Sequence, residues 1–182
     1  MLAFGTSTTA QTLRADGNCR DGQPHGAWQL ADASGNLRVL GAFSRGKRTG
    51  SFIHWTSGGV RIAHIPYEDD ARNGTLALWY AMPVKDGQGP QRLEAIYAAG
   101  KLNGNVRVWD RDGRLRGDYR YAAGVLVDVA AWDARGRALP PAQARAQAEQ
   151  DVARSEADQG DLEQLVNRYA KGCGAVPGTA AR

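Results

Sequence analysis

The sequence has little of several residue types on which catalysis and metal binding usually depend. Its 182 residues include two cysteines and three histidines, and neither cysteine lies at metal-ligand spacing from a histidine. No Gly-x-Ser-x-Gly motif or phosphate-binding glycine loop occurs. No apolar run is long enough to cross a bilayer as a helix. The sequence therefore predicts a chain that is not an enzyme and has no cofactor or metal.

The excess of positive over negative charge is also small. The net charge is +4 and the pI about 9.3, and the arginines alternate with other residues instead of clustering. Nucleic-acid binding depends on many clustered phosphate contacts, so this pattern does not favour it. Peripheral contact with a membrane stays open as an alternative.

The cysteines and the N-terminus bear on the compartment. Residues 1–20 are expected to form either a flexible N-terminus or, at 1–10, the remnant of a secretory signal, since apolar Met1–Phe4 precedes the small residues Thr8–Ala10. This predicts a periplasmic or secreted protein, with a cytoplasmic one as the alternative. Cys19 and Cys173 could form a disulfide in an oxidising compartment, or stand as two unrelated thiols.

An internal periodicity organises residues 21–138. Phe43 to Tyr67 and Tyr97 to Tyr121 are 24 residues each, and each interval holds two stretches of alternating polarity separated by glycine turns. A fixed period of this length is typical of repeat architectures, and alternation of polarity is typical of strands with one buried face. We predict a mainly β protein with one antiparallel meander of about nine strands.

The composition changes after residue 138. Residues 139–173 are predicted to form a helical cap, with one helix from about 142 to 158, a break at Gly160 and a second helix capped by Asp161. An apolar stripe on the second helix is expected to dock on the sheet. Residues 174–182 are expected to be a loose tail. The stripe consists of Leu162, Leu165, Val166 and Tyr169.

The periodic frame resembles the MORN-type repeat, and most closely its bacterial variant found in antitoxins. The resemblance covers about residues 21–137, as four and a half copies in register. It implies a β-meander scaffold that binds a protein, a lipid or a membrane, without fixing which. The frame is clearest in Tyr97, Gly100, Lys101, Gly104, Trp109, Asp110 and Gly113.

Tryptophan and arginine supply the best candidates for a binding site. The tryptophans follow the opening glycine of a strand by five residues, which places them towards the polar face or the strand ends, together with arginines and a histidine. These residue types dominate interface energetics, although the rings could instead cap the turns. The predicted partner-binding residues are Trp55, Trp79, Trp109, Arg92, Arg107, Arg116 and His64.

Two functions follow as hypotheses. The first is an immunity protein or antitoxin that neutralises a cognate secreted toxin or effector by occluding it. The second is an envelope-associated structural module that contacts lipid or cell wall.

Overall fold

The computed structural model of the chain describes residues 12–82 and 87–170. These residues form one open antiparallel sheet and one C-terminal helix, which confirms the predicted mainly β meander. The elements are β1 Arg14–Arg20, β2 Gln23–Ala31, β3 Leu37–Ser44, β4 Lys47–Trp55, β5 Arg61–Glu68, β6 Ala71–Arg72, β7 Gly74–Trp79, β8 Gln91–Ala98, β9 Lys101–Trp109, β10 Leu115–Ala122, β11 Val125–Ala131 and α1 Pro141–Ala170.

The sheet begins earlier than the sequence predicts. Strand β1 lies within residues 1–20, which were expected to be flexible, and pairs with β2 from Arg14 opposite Ala31 to Arg20 opposite Gln23. All seven of its residues are exposed, so it has no alternation of polarity for a sequence pattern to detect. Backbone pairing to β2 and a hydrogen bond from the side chain of Gln29 to Asp16 at 3.2 Å contribute to holding it. With β1 and the short β6 the sheet has eleven strands.

Successive hairpins pair in the same register. The aromatic residue that ends each returning strand lies opposite the glycine near the start of the outgoing strand before it. These strand ends are called the tyrosine end, and the opposite strand ends, which hold the tryptophans, are called the tryptophan end. The pairs are Phe43 with Gly26, Tyr67 with Gly50, Tyr97 with Gly74 and Tyr121 with Gly104.

Two-residue turns close the tyrosine end. Both turn residues have positive φ, as in Ala99 at 47° and Gly100 at 80°, which is the type I′ geometry that matches the twist of paired strands. Asp70 occupies the second turn position, which Gly46 and Gly100 hold in other hairpins. Its φ is 70°, and its carboxylate accepts hydrogen bonds from the backbone N–H and the Nε of Arg48 at 2.9 and 2.8 Å.

One face of the sheet forms the core. Alternate strand residues are buried there, and Trp28, Phe43, Phe52 and Tyr67 form a chain of edge-to-face ring contacts with centroids 5.4–5.8 Å apart. Gly41 lies under the Phe52 ring, where a β-carbon would come within 2.5 Å of ring atoms. The absence of a side chain at Gly41 therefore makes room for the Phe52 ring.

Among the described residues, a single helix covers this face. The prediction of two helices broken at Gly160 is wrong, because α1 runs without interruption from Pro141 to Ala170. A glycine inside a helix costs only about 1 kcal/mol, and burial of Gln159 and Val166 on either side favours continuation. As predicted, the stripe of Leu162, Leu165, Val166 and Tyr169 packs against the core.

The helix crosses the strands. Near its N-terminus, Gln147 donates to the carbonyl of Arg116 in β10 at 3.0 Å. Near its C-terminus, Glu163 accepts from Tyr67 in β5 at 2.8 Å. One sheet face is therefore covered along most of its width, and the other is open.

Candidate functional site

The tryptophan end is built from loops held by side chains. Asp32, Asp110 and Asp133 each accept two backbone N–H hydrogen bonds at 2.9–3.0 Å through Oδ1. Thr56 holds the same position in the loop between β4 and β5, and its hydroxyl accepts a hydrogen bond from the N–H of Val60 at 3.1 Å. Side chains of this kind often close turns by bonding the backbone a few residues ahead. These four loops are therefore short and self-contained.

The third hairpin departs from this plan. Tyr80 follows Trp79 as Asp110 follows Trp109, but a tyrosine cannot close the loop as aspartate does. Its hydroxyl instead donates to the carbonyl of Trp109 at 2.9 Å, and its backbone N–H donates to the carbonyl of Pro90 at 3.0 Å. The chain from Tyr80 to Pro90 is correspondingly longer than the other loops.

Two adjoining cavities lie beside Tyr80, between the tryptophan end and α1. Their volumes are about 160 and 300 Å³, and four residues line both of them: Tyr80, Arg92, Arg111 and Arg154. We call this site the arginine groove and define it by six residues. They are Trp79, Tyr80, Arg92, Arg111, Arg116 and Arg154.

Two of the groove's arginines are paired with the helix. Nη1 of Arg92 lies 2.6 Å from Oδ2 of Asp158, and Nη2 of Arg116 lies 3.7 Å from Oδ1 of Asp151. The same Asp151 accepts a hydrogen bond from Tyr119 at 2.8 Å. These contacts hold α1 over the sheet and fix one wall of the groove.

β-Bulges explain why these two arginines reach the helix. The sequence pattern placed Arg92 and Arg116 on the open face, and that placement is wrong. In each returning strand two residues oppose one partner, so that Arg92 is the extra residue between Gln91 and Leu93 and Arg116 the extra residue before Gly117. A bulge re-aims a side chain, and here it turns both arginines towards the helix.

The open face carries two other predicted residues. Arg107 lies between Glu94 and Asp118 on the neighbouring strands, at 3.9 and 3.7 Å. Nε2 of His64 lies 2.8 Å from the Ser51 hydroxyl. This is the pairing of a nucleophile with a base, but in the described part of the chain no third side chain is hydrogen-bonded to His64, and the pair lines neither of the groove's cavities.

The tryptophans stand at the strand ends. Trp79 lines the groove, with the guanidinium of Arg61 stacked 4.4 Å from its ring centroid. Trp55 and Trp109 are half-buried, and their carbonyls accept hydrogen bonds from Arg38 and Tyr80. The seven predicted residues therefore do not form one patch, and the structure brings together only Trp79, Arg92 and Arg116.

Sequence reasoning missed three groove residues. Tyr80 carried a signal, because it departs from the aspartate or threonine of the other loops. Arg111 lies in the turn after Trp109 and looked like an ordinary exposed residue. Arg154 is on the helix, and no local pattern indicates which strand ends a helix will lie against.

His54 and His64, in the paired strands β4 and β5, lie on opposite faces of the sheet. His54 is buried under α1, whereas His64 lies on the open face, because the two occupy alternate positions of paired strands. Burial lowers the pKa of His54 to about 4, against a smaller opposing effect of the nearby Glu163. Within residues 12–82 and 87–170 no group of three or more metal-ligating side chains is arranged to hold a metal ion.

A second polar cluster anchors the other half of the helix. Oε1 of Glu163 accepts hydrogen bonds from the Tyr67 hydroxyl at 2.8 Å and from Nε of Arg72 at 2.9 Å. Nη1 of Arg48 lies 3.8 Å from Oε2 of Glu163. Burial, followed by the charge of Glu163, raises the pKa of Tyr67, so the phenol remains a donor to this carboxylate.

Several predictions about compartment remain predictions. Cys19 lies in β1, and Cys173 and residues 1–10 and 174–182 lie outside the described residues, so their predicted roles are not tested. In the described ranges, no helix combines the length and apolarity needed to cross a bilayer.

Comparison with known proteins adds no family to this description. No protein-family model matches the sequence, and a search of curated proteins finds no significant match. The resemblance to MORN-type repeats therefore stays a prediction drawn from the sequence.

Proposed function

We propose that this chain is a non-enzymatic protein-binding module that neutralises a partner, such as a secreted toxin or effector, by occluding a surface that the partner needs. The arginine groove is the observation that carries this proposal. It combines tryptophan, tyrosine and arginine at the rim of a rigid sheet, and these residue types contribute most of the energy at protein interfaces.

The scaffold supports this proposal. The groove lies at the irregular third hairpin, while the loops on either side of it close on themselves through Thr56 and Asp110. Departures from a local rule in an otherwise consistent fold concentrate at functional sites. Tyr80, Arg92 and Arg116 are already held by hydrogen bonds or ion pairs, which limits the conformational entropy that these side chains would lose on binding.

The test is affinity capture followed by a functional assay. The full chain, expressed in the compartment where it is made, is used to capture partners from the native organism, and a captured protein is then purified and expressed in a sensitive host. We expect a stoichiometric complex and suppression of the partner's toxicity or activity when the chain is supplied at equal concentration.

Two results would overturn the proposal. One is the absence of any stoichiometric partner in capture experiments with and without crosslinking. The other is a captured partner whose activity is unchanged at saturating concentrations of the chain.

A further inference from the structure

The arginine groove holds two guanidinium groups that are not neutralised. Arg111 comes from the turn after β9, Arg154 comes from α1, and both line both cavities. In the part of the chain that the structure describes, neither forms an ion pair, in contrast to Arg92 and Arg116 with their aspartates. Both are exposed, so a ligand can reach them without movement of the helix.

Aromatic rings lie next to these two charges. Tyr80 lines both cavities and Trp79 lines the larger one, and the guanidinium of Arg111 lies 5.7 Å from the Tyr80 ring centroid. The hydroxyl of Tyr80 is already committed to the carbonyl of Trp109. The ring is thereby held in the wall of both cavities, with Arg111 over one of its faces.

The balance of charge limits the kind of anion that would fit. Four arginines line the two cavities, Arg92, Arg111, Arg116 and Arg154, and so do three aspartates, Asp151, Asp158 and Asp161, which gives a net lining charge of 4 − 3 = +1. A single carboxylate matches this balance. A polyanion such as a nucleic-acid strand or an anionic lipid surface would bring further negative charges close to the aspartates, and like charges at short range repel.

Resting on the function proposed above, we propose that the arginine groove binds an acidic side chain of an extended segment of the partner protein, next to an apolar residue of the same segment. The carboxylate lies between Arg111 and Arg154, because guanidinium groups bind carboxylates through paired N–H donors. The apolar neighbour packs on Tyr80 and Trp79. The partner is therefore a protein with an exposed Asp or Glu beside an aromatic or aliphatic residue.

The test uses a matched pair of double variants. Arg111→Glu with Arg154→Glu reverses both unneutralised charges of the groove. Arg135→Glu with Arg145→Glu makes the same change in net charge at one turn position and one exposed helix position that do not line the groove. All four arginines are exposed, so both variants should fold, which circular dichroism and the melting temperature would verify.

The probe is a displayed library of random twelve-residue peptides selected on the immobilised full chain. We expect enriched peptides to carry Asp or Glu beside an aromatic or aliphatic residue. By fluorescence anisotropy, they should bind the groove variant at least tenfold more weakly and the control variant within twofold of the native chain. Replacing the acidic residue with its amide should abolish the difference between the native chain and the groove variant.

The contrary results are equally defined. Failure to enrich any peptide, enrichment without acidic residues, or equal binding to the groove variant would overturn the inference. Displacement of the peptides by 10 mM inorganic phosphate, roughly a hundredfold above the dissociation constant of a weak phosphate site, would also overturn it. So would sedimentation with phosphatidylglycerol vesicles that depends on the groove and occurs without peptide binding.

The proposed function and this inference can fail separately. A captured toxin or effector whose affinity is unchanged in the groove variant would overturn the role of the groove and leave the proposed function standing. Selection of acidic peptides without any captured partner would support the groove and count against neutralisation.

Discussion

The turns at the two ends of the strands are closed by different kinds of hydrogen bond. At the tyrosine end, two-residue turns donate backbone hydrogen bonds to the hairpin before them, as Gly46 does to Pro24 at 2.9 Å and Gly100 to Arg72 at 2.9 Å. At the tryptophan end, four loops close on their own aspartate or threonine, and the loop of the third hairpin does not. Because those loops do not depend on their neighbours, one of them can be replaced without disturbing the rest.

The difference teaches where variation is tolerated in this sheet. The third hairpin has Tyr80 in place of the loop-closing residue and a longer connection, yet its strands keep their register, from Gly74 opposite Tyr97 to Trp79 opposite Gln91. The cavity that results is bounded by α1. A binding groove therefore arises where an irregular loop meets the helix that covers the core.

The largest effect is expected near the tyrosine end, at the anchor of the helix. Replacing Glu163 with alanine leaves the half-buried Arg72 without its carboxylate partner and leaves Arg48 with Asp70 alone, and loss of one partner from a buried ion pair costs about 3 kcal/mol. Urea denaturation should show this loss of unfolding free energy. Glu156→Ala, at an exposed position of the same helix, is the control and should change stability by less than about 0.5 kcal/mol. Equal effects of the two substitutions would contradict this anchoring role.

An intermediate effect is expected from His54, which lies beneath the helix beside the tryptophan end. Its pKa is lowered to about 4, against about 6.5 in an unfolded chain. Between these values the unfolded state binds a proton that the folded state does not, so stability falls as the pH falls from 6.5 towards 4. The expected loss between pH 8 and pH 5 is about 2 kcal/mol.

Denaturation at both pH values, in the native chain and in His54→Leu, would measure this contribution. The leucine variant should lose about 2 kcal/mol less stability on acidification than the native chain. An identical pH dependence in the two proteins would mean that water reaches His54 under the helix.

The smallest effect is expected in a single loop of the tryptophan end. Asp110→Ala removes the acceptor of two backbone N–H groups, which should cost about 1 kcal/mol. Asp112→Ala in the same loop removes only an exposed ion pair with Arg114 and should cost less than about 0.5 kcal/mol. If Asp110→Ala also destabilised the neighbouring hairpins in hydrogen exchange, the loops would not be independent.

Local pattern predicted the faces of most strands. Period-two alternation was enough to place Phe52 and Ile65 in the core and Arg107 on the open face, because side-chain direction along a strand is a local property. The pattern failed at Arg92 and Arg116, where a bulge shifts the alternation by one residue. Bulges depend on pairing between strands, and a single strand does not encode that pairing.

The path of the helix could not be predicted for a related reason. Strand β1 and the continuity of α1 through Gly160 are both set by contacts with distant parts of the chain. Local composition instead indicated a flexible segment at β1 and a helix break at Gly160. Arg154 reaches the groove only because the helix crosses the sheet as it does. The groove is thus a product of tertiary packing, although Tyr80 marked its place in the sequence.

The length of α1 has a consequence for how the protein can evolve. The 30 residues of α1 that the structure describes span about 45 Å at 1.5 Å per residue. The ten strands in the path from β1 to β11 span about 43 Å at 4.8 Å between neighbours. The described helix therefore matches the width of the sheet. Duplicating one hairpin would leave apolar core residues of the sheet uncovered, and deleting one would leave the end of the helix without strands to pack on. Gain or loss of a hairpin would therefore expose apolar surface unless α1 changed by a matching number of turns.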